Sequence, residues 1–144
     1  MGLIELASGN SVWRGLDYYE NHKVIAWNKS GNSTYDGVVS GSGNKRYDVH
    51  IDKAHPRRSV CNCAFAEGRR VICKHMIALY FTAEPEAAER FMKQVEEWQN
   101  EEEEMERQHQ ADIHRYVYSL TKAELQERLF NALIELEERD NHYW

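Results

Sequence analysis

Apolar and polar positions recur along this chain in two rhythms, and each predicts its own kind of element. After Ser11, placed to cap a first turn, Trp13, Leu16, Tyr18 and Tyr19 recur at helical spacing as far as Asn21 and His22, so a short N-terminal helix is expected there. From Val24 the rhythm changes. Residues 24–28, 34–40 and 45–52 are short β-favouring runs separated by the Gly/Asn/Ser-rich pieces 30–33 and 41–44, the pattern of a three-stranded antiparallel sheet. In the third run Tyr47, Val49 and Ile51 alternate with Arg46, Asp48 and His50, as a strand with one buried and one solvated face requires.

Pro56 ends this region, and an extended segment follows through Val60. Met76, Ile77, Leu79, Tyr80 and Phe81 then form a dense apolar run that predicts one buried helix of about two to three turns. A third part begins at Pro85, a residue suited to the first position of a helix. Phe91, Val95 and Trp98 keep helical spacing until residues 101–104, all Glu, break the stripe. Beyond them the helix either continues as a solvated rod through Ile113 and Val117 or frays. Thr121 with Glu124 forms a capping box, and Leu125, Leu129, Leu133 and Leu136 share one face of a last helix. The expected fold is therefore α+β: a short N-terminal helix, a three-stranded antiparallel sheet, a strand-turn-helix unit and a C-terminal helical hairpin.

Between the sheet and the buried helix lies the candidate chemistry, Cys61-Asn62-Cys63, nine further residues, and Cys73-Lys74-His75. Three thiolates and one imidazole meet the demand of a structural zinc for four soft or borderline ligands in a tetrahedron. On an extended strand residues two apart face the same way, so Cys61 and Cys63 can point at one ion. On a helix they would diverge by about 200°, so Cys73 and His75 must straddle a turn or the start of the following helix. All three cysteines of the chain fall inside this stretch, an odd number that cannot make a complete disulfide framework. We therefore expect Cys61, Cys63, Cys73 and His75 to hold one structural zinc ion. Four side chains fill the shell, and neither a zinc deaminase signature nor His-Glu-x-x-His is present. No catalytic residues are assigned, and the chain is expected not to be an enzyme.

Charge divides along the chain. Residues 1–83 hold 11 Lys and Arg against 7 Asp and Glu, a net +4, whereas residues 84–144 hold 7 against 17, a net −10. This predicts two parts, a mildly basic head at 1–83 and an acidic helical tail at 84–144. No window approaches the roughly 20 apolar residues of a membrane span, and residues 1–10 show no signal-peptide pattern. The expectation is a cytoplasmic protein without membrane contact, nucleoid-associated or, in a eukaryote, nuclear.

The ligand spacing resembles the SWIM-type zinc finger, C-x-C followed by C-x-H, with all four ligand positions matched. Upstream, Arg14-Gly15-Leu16-Asp17-Tyr18-Tyr19 through Val24 resembles the Arg-Gly…Tyr-Tyr…Val opening found before such fingers in prokaryotic proteins. Lys74-His75-Met76-Ile77-Ala78 is similar to the start of their helix, so the likeness covers roughly residues 12–82. One departure is Ala64-Phe65, where these fingers often carry Pro. The resemblance implies a zinc-stabilised strand and helix unit that binds DNA or proteins, beside helicase-like ATPases, transposases and recombination factors.

Two functions follow. Arg57, Arg58, Arg69, Arg70 and Lys74 cluster in sequence around the ligands, with Lys45, Arg46 and Lys53 candidates for the same face. They either neutralise phosphates of DNA or another nucleic acid or serve as counter-charges to a zinc centre of net charge −1. The alternative function is a protein adaptor for a helicase-like ATPase or a recombination or transposition complex, using the tail helices, which are also candidates for a homodimer contact.

Overall fold

The structure, a computed structural model, describes residues 2–141. Residues up to Gln94 make one compact unit and those from Val95 onward a second, so the first unit extends beyond the 83/84 division suggested by charge. A single helical turn α1, Leu3–Leu6, precedes helix α2, Gly9–Glu20. Ser8 caps α2, accepting a hydrogen bond from Ser11 N at 3.1 Å. The helix expected to start at Ser11 thus begins earlier, because the extended backbone of Ser8 frees its hydroxyl for the first-turn amides. Its buried face is Val12, Gly15 and Leu16, while Trp13 stays half-exposed against the edge of Phe91.

Strands β1 (Val24–Lys29), β2 (Thr34–Ser40) and β3 (Arg46–Asp52) form the expected antiparallel meander, with an irregularity between Val24 and Ala26. A fourth strand, β4 (Val60–Cys61), pairs with β3 and completes the order β1-β2-β3-β4. Two residues are too few to show any periodicity, which is why the sequence predicts three strands. A 3₁₀ turn, Pro56–Arg58, connects β3 to β4.

Helix α3, Lys74–Ala83, lies between α2 and the sheet. Met76, Ile77, Ala78, Leu79 and Phe81 are all buried there, Leu79 against Gly37 of β2, Ile77 against Gly15 of α2 and Phe81 against Tyr19 and Phe91. Each large apolar side chain buried in this way contributes roughly 1.5–3 kcal/mol. Pro85 starts α4, Pro85–Ser119, whose first turns bury Ala87, Ala88 and Phe91 in the head.

In the second unit α4 continues unbroken past residues 101–104 to Ser119, and α5, Lys122–Asn141, follows after Leu120 and Thr121. The capping box forms as expected: Glu124 N donates to Thr121 Oγ1 at 3.3 Å and Thr121 N to Glu124 Oε1 at 3.1 Å. No residue of α5 is buried, and Leu125, Leu129, Leu133 and Leu136 all stand exposed. Among the described residues no helix is long and apolar enough to cross a membrane.

Candidate metal centre and arginine cavity

The local fold brings the four predicted ligands together from three places. Cys61 lies on β4 opposite Val49, so the pleat turns it to the buried face of the sheet. Asn62 holds the next residue in line: Asp48 N donates to its Oδ1 at 2.9 Å, and its own N–H donates to Asp48 O at 3.4 Å. Cys63 then faces the way Cys61 does, and its carbonyl accepts from the N–H groups of Ala66 and Glu67, which turns the chain back. Gly68, at φ +73°, supplies the left-handed residue of that turn. Cys73 is the N-cap of α3 in extended conformation, and His75 sits in the first helical turn.

All four side chains are buried, and their ligand atoms lie within 4.8 Å of one another. His75 Nδ1 faces the thiols, 3.7 Å from Cys61 Sγ and 3.8 Å from Cys73 Sγ. A tetrahedron with Zn–S of roughly 2.3 Å and Zn–N of roughly 2.0 to 2.1 Å sets such pairs about 3.6 Å apart, so the residues fit the ion. Without a cation they are poorly matched to their surroundings. The hydrogen bond to Cys73, then burial, pushes the Cys61 thiol well above its ordinary range, while the same bond, together with His75, pulls Cys73 below it. One proton shared between two buried sulfurs is what a divalent ion replaces. The site is thus built for one structural zinc ion.

Residues 47–84 match the family model of the SWIM zinc finger. The chain carries a SWIM zinc finger. A search of curated proteins and a search of solved structures found no match. The matched segment runs from Tyr47 on β3 to Glu84 at the end of α3, and its two limits have structural partners. Tyr47 lies over the imidazole of His75, ring centres 4.5 Å apart, and Tyr18 meets it edge-on at 5.4 Å. His75 Nε2 is buried and has no hydrogen-bond partner among the described residues. Glu84 Oε2 is 2.6 Å from Lys53 Nζ and accepts from Tyr35 Oη at 3.1 Å. The hydrophobic pattern places Tyr47 on the inner face of a strand and Tyr18 on the apolar stripe of a helix, but it does not show that both rings meet the imidazole of His75.

That upstream motif packs on the SWIM helix. Gly15 lies against Ile77, Tyr18 against His75 and Tyr19 against Phe81. Residues outside the matched segment therefore form part of the wall around the metal ligands.

Of the five basic residues expected near the finger, four converge. Arg57 and Arg58 from the 3₁₀ turn and Arg69 and Arg70 from the zinc loop line one cavity of about 790 Å³, with Leu6, Pro56 and Val60 among its apolar walls. The 3₁₀ turn is fixed from below by two buried polar residues. Asp52 Oδ1 accepts from His55 N at 3.0 Å and Ser33 Oγ at 3.3 Å, and Asp52 N donates to Ser59 Oγ at 3.0 Å. Donation by His55 N, chiefly, holds the Asp52 carboxyl below its ordinary range despite burial. Arg69 donates to Phe65 O at 3.2 Å and covers one face of the Phe65 ring.

The other basic residues lie elsewhere. Lys74 sits over the Tyr18 ring at 5.0 Å, Lys53 is engaged by Glu84, and Lys45 and Arg46 line a separate depression with Ser40 and Gly43. None of the four cavity arginines is in an ion pair among the described residues, and no carboxylate lines the cavity.

Proposed function

We propose that this chain is a nucleic-acid-binding module rather than an enzyme, and that its contact surface is the cavity of Arg57, Arg58, Arg69 and Arg70. The observation that carries this reading is their convergence: two pairs from separate loops line one open depression that no carboxylate lines among the described residues. Guanidinium groups offer forked donors suited to phosphate oxygens. The metal's part is mechanical, since four protein ligands complete a tetrahedron and leave no position for a substrate. By holding Cys63 and Cys73, zinc sets the loop that carries Arg69 and Arg70. Three thiolates on one ion also suit a reducing, cytoplasmic setting.

The test is a set of binding isotherms at several salt concentrations with the double variants Arg57→Gln/Arg58→Gln and Arg69→Gln/Arg70→Gln. Each should weaken binding and reduce the slope of log affinity against log salt by about two. Isotherms that coincide with those of the unmodified chain at every salt concentration reject this surface.

A second reading rests on a different observation. Helix α5 buries no side chain, and Leu129, Phe130 and Leu133 are each more than half exposed. An amphipathic helix of this kind gains most of its stability from packing, so the tail serves as the contact for a protein, either a second copy or a helicase-like partner. Leu129→Gln with Leu133→Gln should abolish self-association in sedimentation, or co-purification of a protein, while leaving zinc content unchanged. A chain that is monomeric and unaccompanied before and after the change removes this reading.

A further inference from the structure

We infer that the arginine cavity takes a single-stranded polynucleotide, with a base turned into the hollow and flanking phosphates on the guanidinium groups. The inference rests on the nucleic-acid reading and adds to it the form of the ligand.

Three features point the same way. The first is shape. The depression is open to solvent and has a volume of about 790 Å³, which is room for a nucleotide unit laid along the surface. A duplex keeps its bases stacked inside and offers such a depression only its phosphates and sugars. The second is the lining. Leu6, Pro56 and Val60 give the cavity apolar walls, and Val60 is 58% exposed. Phosphate contacts alone would leave Val60 in water, whereas an unstacked base covers it.

The third feature is Phe65. Its ring is 49% exposed, and the guanidinium over it, at 5.1 Å, belongs to Arg69 of the cavity. An exposed aromatic beside cationic groups is the arrangement on which single strands stack their bases, at roughly 1–3 kcal/mol per base. The short turn closed by Ala66 and Glu67 on Cys63, with Ala66 itself buried, leaves Phe65 on the outside of the zinc loop.

The experiment measures fluorescence anisotropy of the full zinc-loaded chain with one mixed sequence in three forms: single-stranded DNA, single-stranded RNA and the DNA duplex. Either single strand should bind at least about tenfold more tightly than the duplex, and the DNA and RNA arms show which sugar is preferred. Phe65→Ala should weaken single-strand binding about tenfold and leave any duplex binding unchanged, while Phe65→Tyr should retain the single-strand affinity. Zinc content and melting temperature measured on each variant separate lost stacking from lost folding. A duplex bound as tightly as the single strands, or a folded Phe65→Ala chain with unchanged single-strand affinity, overturns this inference and leaves nucleic-acid binding standing. Absence of binding to all three forms overturns both.

Discussion

Gly15 on α2 and Ile77 on α3 are in direct contact: a Cβ built on Gly15 would lie 2.5 Å from both Cβ and Cγ2 of Ile77 and 3.0 Å from the Lys74 carbonyl. The helices approach this closely because residue 15 has no side chain, and the same approach brings Tyr18 to His75. Gly15→Ala would raise intrinsic helix propensity, but the overlap with a fully buried Ile77 outweighs that gain. We expect a net destabilisation of about 1–3 kcal/mol, read as a lower midpoint in denaturant. An unchanged or higher midpoint would show that α2 can move away at no cost.

Zinc removal should have the largest effect. Binding in small zinc modules supplies roughly 10–16 kcal/mol of apparent free energy, much of it folding free energy. Chelation should melt β4, the zinc loop and the first turns of α3, and His75→Ala or Cys63→Ser should do the same. Retention of one zinc per chain with native stability in either variant would refute the ligand set.

Acid should act through Asp52 as well as through the metal. Its carboxyl is held below its ordinary value in the folded chain, so the stability it contributes is fully present above the unfolded value of about 3.9. That contribution is lost as pH falls through the lower, folded value. Asp52→Asn keeps an acceptor for His55 N and Ser33 Oγ but cannot ionise. The stability difference between the two chains should be constant above about pH 5 and shrink below about pH 4. The comparison cancels zinc release, which both chains undergo. A difference that stays constant throughout would rule Asp52 out as an acid-sensitive anchor.

The capping box of α5 permits a local measurement. Thr121→Ala removes the acceptor for Glu124 N and should cost about 1 kcal/mol of helix stability. Faster amide hydrogen exchange should be confined to the first turn or two of α5, with the head unaffected. Exchange that is uniform along the helix in both chains would mean that the cap does not control its start.

Much of this molecule was legible because short-range physics wrote it. The alternation of Tyr47, Val49 and Ile51 gave the inner face of β3, Pro85 marked the start of α4, and Thr121 with Glu124 marked that of α5. The C-x-C and C-x-H spacing sufficed for the ligand set, because four soft donors so close together have few other uses. Ser8 was missed because Ser11, three residues on, is an equally good cap by type. Strand β4 was missed because its pairing is made by β3, with only two residues of its own.

By itself, then, the sequence determined most of the element types and the metal ligand set, both properties of residue type and near-neighbour spacing. Tertiary structure decided which cations share a surface. Arg57, Arg58, Arg69 and Arg70 meet only because β4 docks on β3 and the zinc loop folds back, while Lys53 is captured by Glu84 and Lys74 lies over Tyr18. Nothing in the spacing of like charges distinguishes a phosphate ligand from a counter-ion. That distinction depends on contacts between residues far apart in the chain, which arise only when the apolar faces of α2, α3 and the sheet are buried together.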